Sequence, residues 1–179
     1  LQEVQSLTLS NERDQFENVR WPNEGIVTEI ANPITSDHTL LRQYILPSLL
    51  RLLAANRHHE LPQRVYELGD VIRDSKNSLR AAWACAEVGS GFTSSKGIAQ
   101  ALLRDMGAIQ DDVEFRPADA EHGPWITGRG SHVFIRDEKI GEFGEIDPKV
   151  SGFFGIKSPI QAGEIDLEAI YRIVPDPLS

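Results

Sequence analysis

Arg64-Val65-Tyr66-Glu67-Leu68-Gly69-Asp70-Val71, RVYELGDV, is flanked by the loop HHELP and the polar run RDSKNS. Bounded in this way, the run reads as a strand. It carries an arginine at its start and an acid, Glu67, in its middle. Directly after the polar run, LRAAWACAEV reads as a second strand, and the two are expected to pair antiparallel across RDSKNS.

Working outward, Glu3 to Leu9, EVQSLTL, alternates like a half-buried strand, and Ser10 is placed to cap a short acidic helix, NERDQF. WPNEG has turn chemistry, and IVTEI reads as a short strand closed by Asn32-Pro33. In TLLRQYILPSLLRLLAAN, Pro47 is tolerated only in a first helical turn, so a helix is expected from about Pro47 to Arg57-His58. Its buried stripe would be Leu49, Leu50, Leu52 and Leu53.

Thr93 is a plausible cap for SSKGIAQALLRDM, where Ile98, Ala99, Leu102, Leu103 and Met106 share a face and Gly107 supplies the stop. VEFRPA reads as a strand, PWITGRG as a Gly-rich link, and SHVFI and KIGEFGEI as a hairpin around RDE. Asp147-Pro148 opens a short helix, IQAGEIDL is a last strand, and EAIYR a helical turn. Consecutive strands with helices between some of them predict an α+β fold on a mainly antiparallel sheet.

The 179 residues suit one domain, with 25% charged and 40% hydrophobic residues giving a globular composition. No apolar run is long enough to span a bilayer, which suggests a soluble, cytoplasmic protein without membrane association. Cys85 stands alone, so neither a disulfide framework nor a zinc set is available. The net charge of -9 disfavours nucleic-acid binding by the surface as a whole, although Arg51, Arg57, His58 and His59 could form a local patch.

Few residues suggest chemistry. His58-His59 lacks ligands at metal spacing and reads more simply as a basic helix end. His122 and His132 flank GPWITGRG, as surface histidines of a loop commonly do, and GRG matches no phosphate-binding loop. Ser94 and Ser95 lack a nucleophile elbow. Glu142, Glu145 and Asp147 lie on one acidic strand and Glu164 and Asp166 on another; a cation between them is conceivable, but a solvated face is the simpler reading. From residues alone no catalytic site assembles.

Three strings in succession carry a resemblance: ANPITSDHTLLRQYILPSLLRLLAANRHHELPQRVYELGDVI (Ala31 to Ile72), GFTSSKGIAQALLRDMG (Gly91 to Gly107) and GRGSHVFIRDEKIGEFGEIDPKVSGFFGI (Gly128 to Ile156). Together they resemble the phenylalanyl-tRNA synthetase β subunit, in its archaeal and eukaryotic branch, over nearly the whole chain. The resemblance implies a class II aminoacyl-tRNA synthetase-like antiparallel sheet flanked by helices, with residues 1–179 forming one catalytic-like domain of a longer β subunit. It also implies a phenylalanine-tRNA ligase holoenzyme using ATP and magnesium. The partners would be the α subunit, in an (αβ)2 heterotetramer, and tRNA(Phe).

That class grips ATP with an arginine on a strand like RVYELGDV, just after the tyrosine, and with a second arginine opening the helix after a Gly-rich strand. Here Glu67 stands at the first position, and QAGEIDLEAIY offers Glu164, Asp166 and Glu168 around the second. The resemblance therefore implies a pseudo-active site at Glu67, Glu164 and Asp166, with no catalytic, cofactor or metal residues in this domain. Leu41, Ile45, Pro47, Leu49 and Leu53 are candidates for the α-subunit interface, and equally for ordinary core. Two other readings stay open: a free-standing paralogue that binds an amino acid or ATP, and a tRNA-binding module.

Overall fold

A computed structural model describes residues 1–119 and 121–174. In chain order the elements are β1 (Gln2–Glu3), β2 (Leu9–Ser10), β3 (Leu40–Leu41), α1 (Leu46–Ala55), β4 (Gln63–Arg73), β5 (Lys76–Ala86), α2 (Phe92–Asp105), β6 (Val113–Pro117), β7 (Trp125–Ile135), β8 (Glu138–Ile146), α3 (Pro148–Phe153), β9 (Ile160–Asp166) and α4 (Leu167–Ile173). Seven strands form one sheet in the order β1-β4-β5-β9-β8-β7-β6, antiparallel throughout except where β1 runs parallel to β4. The α+β class expected from the sequence is the one observed.

Both hairpins turn more tightly than the sequence suggests. Asp74 and Ser75 have φ of 51° and 61°, and Arg136 and Asp137 have φ of 48° and 65°. Two left-handed central residues match the twist of paired strands. Consequently Arg73, Lys76, Asn77 and Ser78, expected in a turn, extend β4 and β5 to 11 residues each. The Gly-rich PWITGRG likewise belongs mostly to β7, which begins at Trp125.

Each face of the sheet has its own core. On one face Val65, Val71, Ala82, Ala84 and Ala162 pack against Leu46, Leu49, Leu50 and Leu53 of α1. On the other, Ala81, Trp83, Cys85, Phe143 and Ile165 pack against α2 and α4 through Ala99, Leu103 and Ile170. Each fully buried leucine contributes about 1.5–3 kcal/mol. Pro47 lies in the first turn of α1 as expected, while Leu52 falls on the flank and stays partly exposed.

Of the two readings of the interface candidates, this packing bears on the one that made them ordinary core. Ile45, Leu49 and Leu53 are at most 2% exposed and belong to the chain's own core, while Pro47, though buried, borders a groove on the flank of α1. Leu41 alone is partly exposed. The helix has one apolar stripe, and the sheet has taken it.

The first 45 residues depart furthest from expectation. EVQSLTL forms ladders only at Gln2–Glu3 and Leu9–Ser10, because Ser6 turns its N–H and hydroxyl to Glu67 instead. The helical segment is a π-helical turn at Arg13–Glu17, and Asn11 Oδ1, rather than Ser10, accepts from Asp14 N. IVTEI reduces to one bridge, Glu29 with Leu40. In α2 the cap position is Gly91, with Thr93 inside the helix and Glu145 Oε1 accepting from Phe92 N.

Candidate functional site

The strand register brings Glu67 of β4, Ala82 of β5, Glu164 of β9 and Glu142 of β8 into one row across the middle of the α1-facing surface. Three carboxylates in such a row would repel one another unless each had its own cation. Each has one, supplied from a different place in the chain.

Glu67 is 1% exposed. Its Oε1 accepts from Arg42 Nη2 at 2.9 Å and its Oε2 from the Ser6 hydroxyl at 2.6 Å. Arg42, equally buried, also donates from Nε to Asp70 O and from Nη1 to Ser6 Oγ, while its carbonyl accepts from Ile72 N. Thus Arg42 stitches the N-terminal arm to the outer edge of β4. Gly69 makes room for it, because a Cβ there would lie 2.7 Å from Arg42 Nη2.

Glu164 is buried to the same degree and divides its two oxygens. Oε1 accepts from Ile45 N and Leu46 N, at 2.8 and 2.7 Å, where the first turn of α1 leaves amides unpaired. Oε2 accepts from Arg80 Nε at 2.6 Å. Burial works against the Arg80 charge, but Glu164 and then Asp166 outweigh it and hold the guanidinium pKa above its ordinary value. Asp166, whose Oδ2 is 3.8 Å from Arg80 Nη1, caps α4 by accepting from Ala169 N.

Glu142 completes the row. Trp125 Nε1 donates to its Oε1 at 2.9 Å, Lys139 Nζ to its Oε2 at 3.1 Å, and His132 Nε2 lies 3.5 Å from Oε1. Burial alone would raise this carboxyl, yet His132, Lys139 and Trp125 together depress its pKa to about 2. A cleft of about 330 Å3 opens beside the row, between Trp21, Tyr44 and β8. Its cations Arg73, Arg80 and Lys139 meet the carboxylates Glu24, Glu142, Glu164 and Asp166. Arg73 lies 4.8 Å over the Tyr44 ring and donates to Gln43 O; burial and then the nearby Arg80 lower its pKa.

The structure therefore brings together the three pseudo-active-site candidates Glu67, Glu164 and Asp166 and adds Glu142, which the sequence offered only as one acid of an acidic strand, with Arg42 and Arg80 as the residues that sequence reasoning missed. A signal for both existed. Arg42 interrupts the apolar run LLRQYIL, and Arg80 heads the apolar run after it in β5; a charge inside such a run needs a buried partner.

Other candidates stand apart. His58 and His59 are exposed beyond the end of α1. His122 pairs with Asp119 at the surface, whereas His132 reaches Glu142. Ser95 is buried, donating to Ala162 O and accepting from Trp83 Nε1, and Ser94 is exposed. Glu168 accepts from Leu79 N. Among the described residues no three His, Cys, Asp or Glu side chains gather as a metal site would require, and no helix is long and apolar enough to cross a membrane.

Residues 1–167 match the family described as phenylalanyl tRNA synthetase beta chain CLM domain. The phenylalanine–tRNA ligase beta subunit of Pyrococcus horikoshii is 39% identical over 179 residues, covering 96% of this chain and 31% of that protein. The corresponding subunits of Methanopyrus kandleri and Pyrococcus furiosus are 38% and 40% identical over 94% and 96% of the chain. The chain spans just under a third of the length of these relatives, 31% in Pyrococcus furiosus and 29% in Methanopyrus kandleri.

Proposed function

The chain belongs to the phenylalanyl-tRNA synthetase beta chain family through its CLM domain, and from that premise we propose that it is a non-catalytic module of a cytoplasmic phenylalanine-tRNA ligase. In this reading it has a class II synthetase-like core whose role is structural. It supports assembly with the catalytic α subunit in an (αβ)2 heterotetramer. That α subunit, with ATP and magnesium, attaches phenylalanine to tRNA(Phe).

One observation carries the reading. The acids at the pseudo-active-site positions are engaged by the chain itself: Glu67 by Arg42 and Ser6, Glu164 by Arg80 and the start of α1, Asp166 by α4. A triphosphate needs free cations and amides, which stabilise developing charge in phosphoryl and adenylyl transfer. Here Arg42 and Arg80 are buried against carboxylates, and Glu67 would repel the nucleotide. The residues present do not fit ATP, so no chemical step is assigned to them.

With the core-facing side of α1 enclosed, a partner surface is sought elsewhere. The groove around Leu7, Leu9, Pro47 and Leu52, about 430 Å3, joins the N-terminal arm to the flank of α1. Leu7 is 62% exposed there, and we assign α-subunit contact to this side.

Co-expression with a phenylalanine-specific α subunit tests the reading. A tagged version of this chain is expected to recover α in equal amount, and Leu7→Asp to reduce that recovery. Free elution of α, together with ATP binding by this chain alone, would overturn it in favour of a free-standing nucleotide-binding protein.

A further inference from the structure

At the far end of α1, Arg57, His58 and Lys157 line a cleft of about 430 Å3 whose remaining polar side chains are Gln63 and Ser158. No carboxylate lines it, although the chain has 27 acids against 18 bases. Among the described residues, neither Arg57 nor Lys157 has an ion-pair partner. Elsewhere arginines are paired as a rule, including Arg20, Arg51, Arg64, Arg116 and Arg172.

The carbonyls at the end of α1 would ordinarily oppose an anion here. They are taken up internally: Asn56 O accepts from Gln63 Nε2, and Ala54 O from Arg57 Nη1. A larger cleft of about 810 Å3 shares Lys157 and Ser158 and continues to Arg129, Thr93 and Ser94. Its one carboxylate, Glu145, already accepts from Arg129 and Phe92 N. The free charges of this basic wall are Arg57 and Lys157, and it continues to Arg129, whose charge Glu145 balances.

We propose that this wall is a contact site for the phosphate backbone of RNA. The inference rests on the reading of the chain as part of a tRNA ligase, which supplies the polyanion. Two exposed cations, Arg57 and Lys157, beside a cleft with no lining carboxylate favour the polyanion there over the acidic remainder of the surface. They contact phosphates without reading bases, so the site positions the RNA and adds no sequence selectivity. Leu53 and Ile156, both buried, form the apolar floor of the cleft.

The test uses the assembled α–β enzyme and a tRNA(Phe) transcript, with binding measured over a range of KCl concentrations. Arg57→Ala/Lys157→Ala is expected to bind tRNA about 5- to 10-fold more weakly at low salt, with the log–log salt slope shallower by about two. Lys76→Ala, a base outside both clefts, is expected to match the wild type, and ATP–pyrophosphate exchange to be unchanged in both variants. Unaltered tRNA affinity and slope in a normally assembled double variant would overturn the proposal, as would weaker binding at an unaltered slope. A defect confined to ATP–pyrophosphate exchange would assign the site to free nucleotide and also overturn it. If the wild-type chains do not assemble, the tRNA-ligase reading itself fails and this inference with it.

Discussion

Arg42 and Glu67 form an ion pair whose side chains are only 2% and 1% exposed, so neither charge has water to fall back on. Removing one partner leaves the other buried and uncompensated, which costs about 3–5 kcal/mol. Arg42→Ala is therefore expected to destabilise the protein by that order in chemical denaturation. Replacing both with apolar residues of similar volume, Arg42→Met with Glu67→Leu, should recover much of the loss. Equal losses in the single and double variants would show that the pair is not a closed unit.

Glu142 gives a pH dependence with a definite sign. Its folded pKa of about 2 is below the ordinary carboxylate value near 4.3. Its contribution is then fully present above about pH 5 and disappears as pH falls toward 2. The protein should lose on the order of 2–3 kcal/mol over that interval from this group, and Glu142→Gln should flatten the corresponding part of the stability profile. Denaturant midpoints at pH 7 and pH 3 for both proteins measure the difference.

Among the elements, β5 carries the longest buried run, seven consecutive residues from Arg80 to Ala86. Cys85 lies within it, and burial, followed by Glu87, pushes its thiol up to about 11. At pH 8 the native protein is expected to resist iodoacetamide and to be alkylated at the rate of global unfolding. Fast labelling of native protein would mean that β5 opens locally. The β4–β5 and β7–β8 hairpins were legible in the sequence because their alternation is local, and α1 and α2 because Pro47 and Gly107 mark their limits. The arm before α1 was not, since side chains with distant partners hold it: Gln15 with Gln43 N and Tyr44 N, Gln43 with Glu24, and Arg42 with Glu67. The site was half legible for the same reason. Glu67 and Glu164 stood out on their strands, but the cations that answer them come from 25 and 84 residues away.

For the whole molecule, these pairs tie the sheet to the elements around it. Glu164 links three parts of the core at once: the start of α1, β9, and β5 through Arg80. In the proposed reading such an arrangement suits a module that presents shape to a partner, with Arg57 and Lys157 beside one cleft at the end of α1. The most direct measurement is the number of ATP molecules bound per α–β pair, by equilibrium dialysis of the assembled enzyme with magnesium. One nucleotide per pair, undiminished in Glu164→Gln, is the predicted result. Two per pair, with one lost in that variant, would mean that this chain binds ATP at the row of acids and would contradict the account.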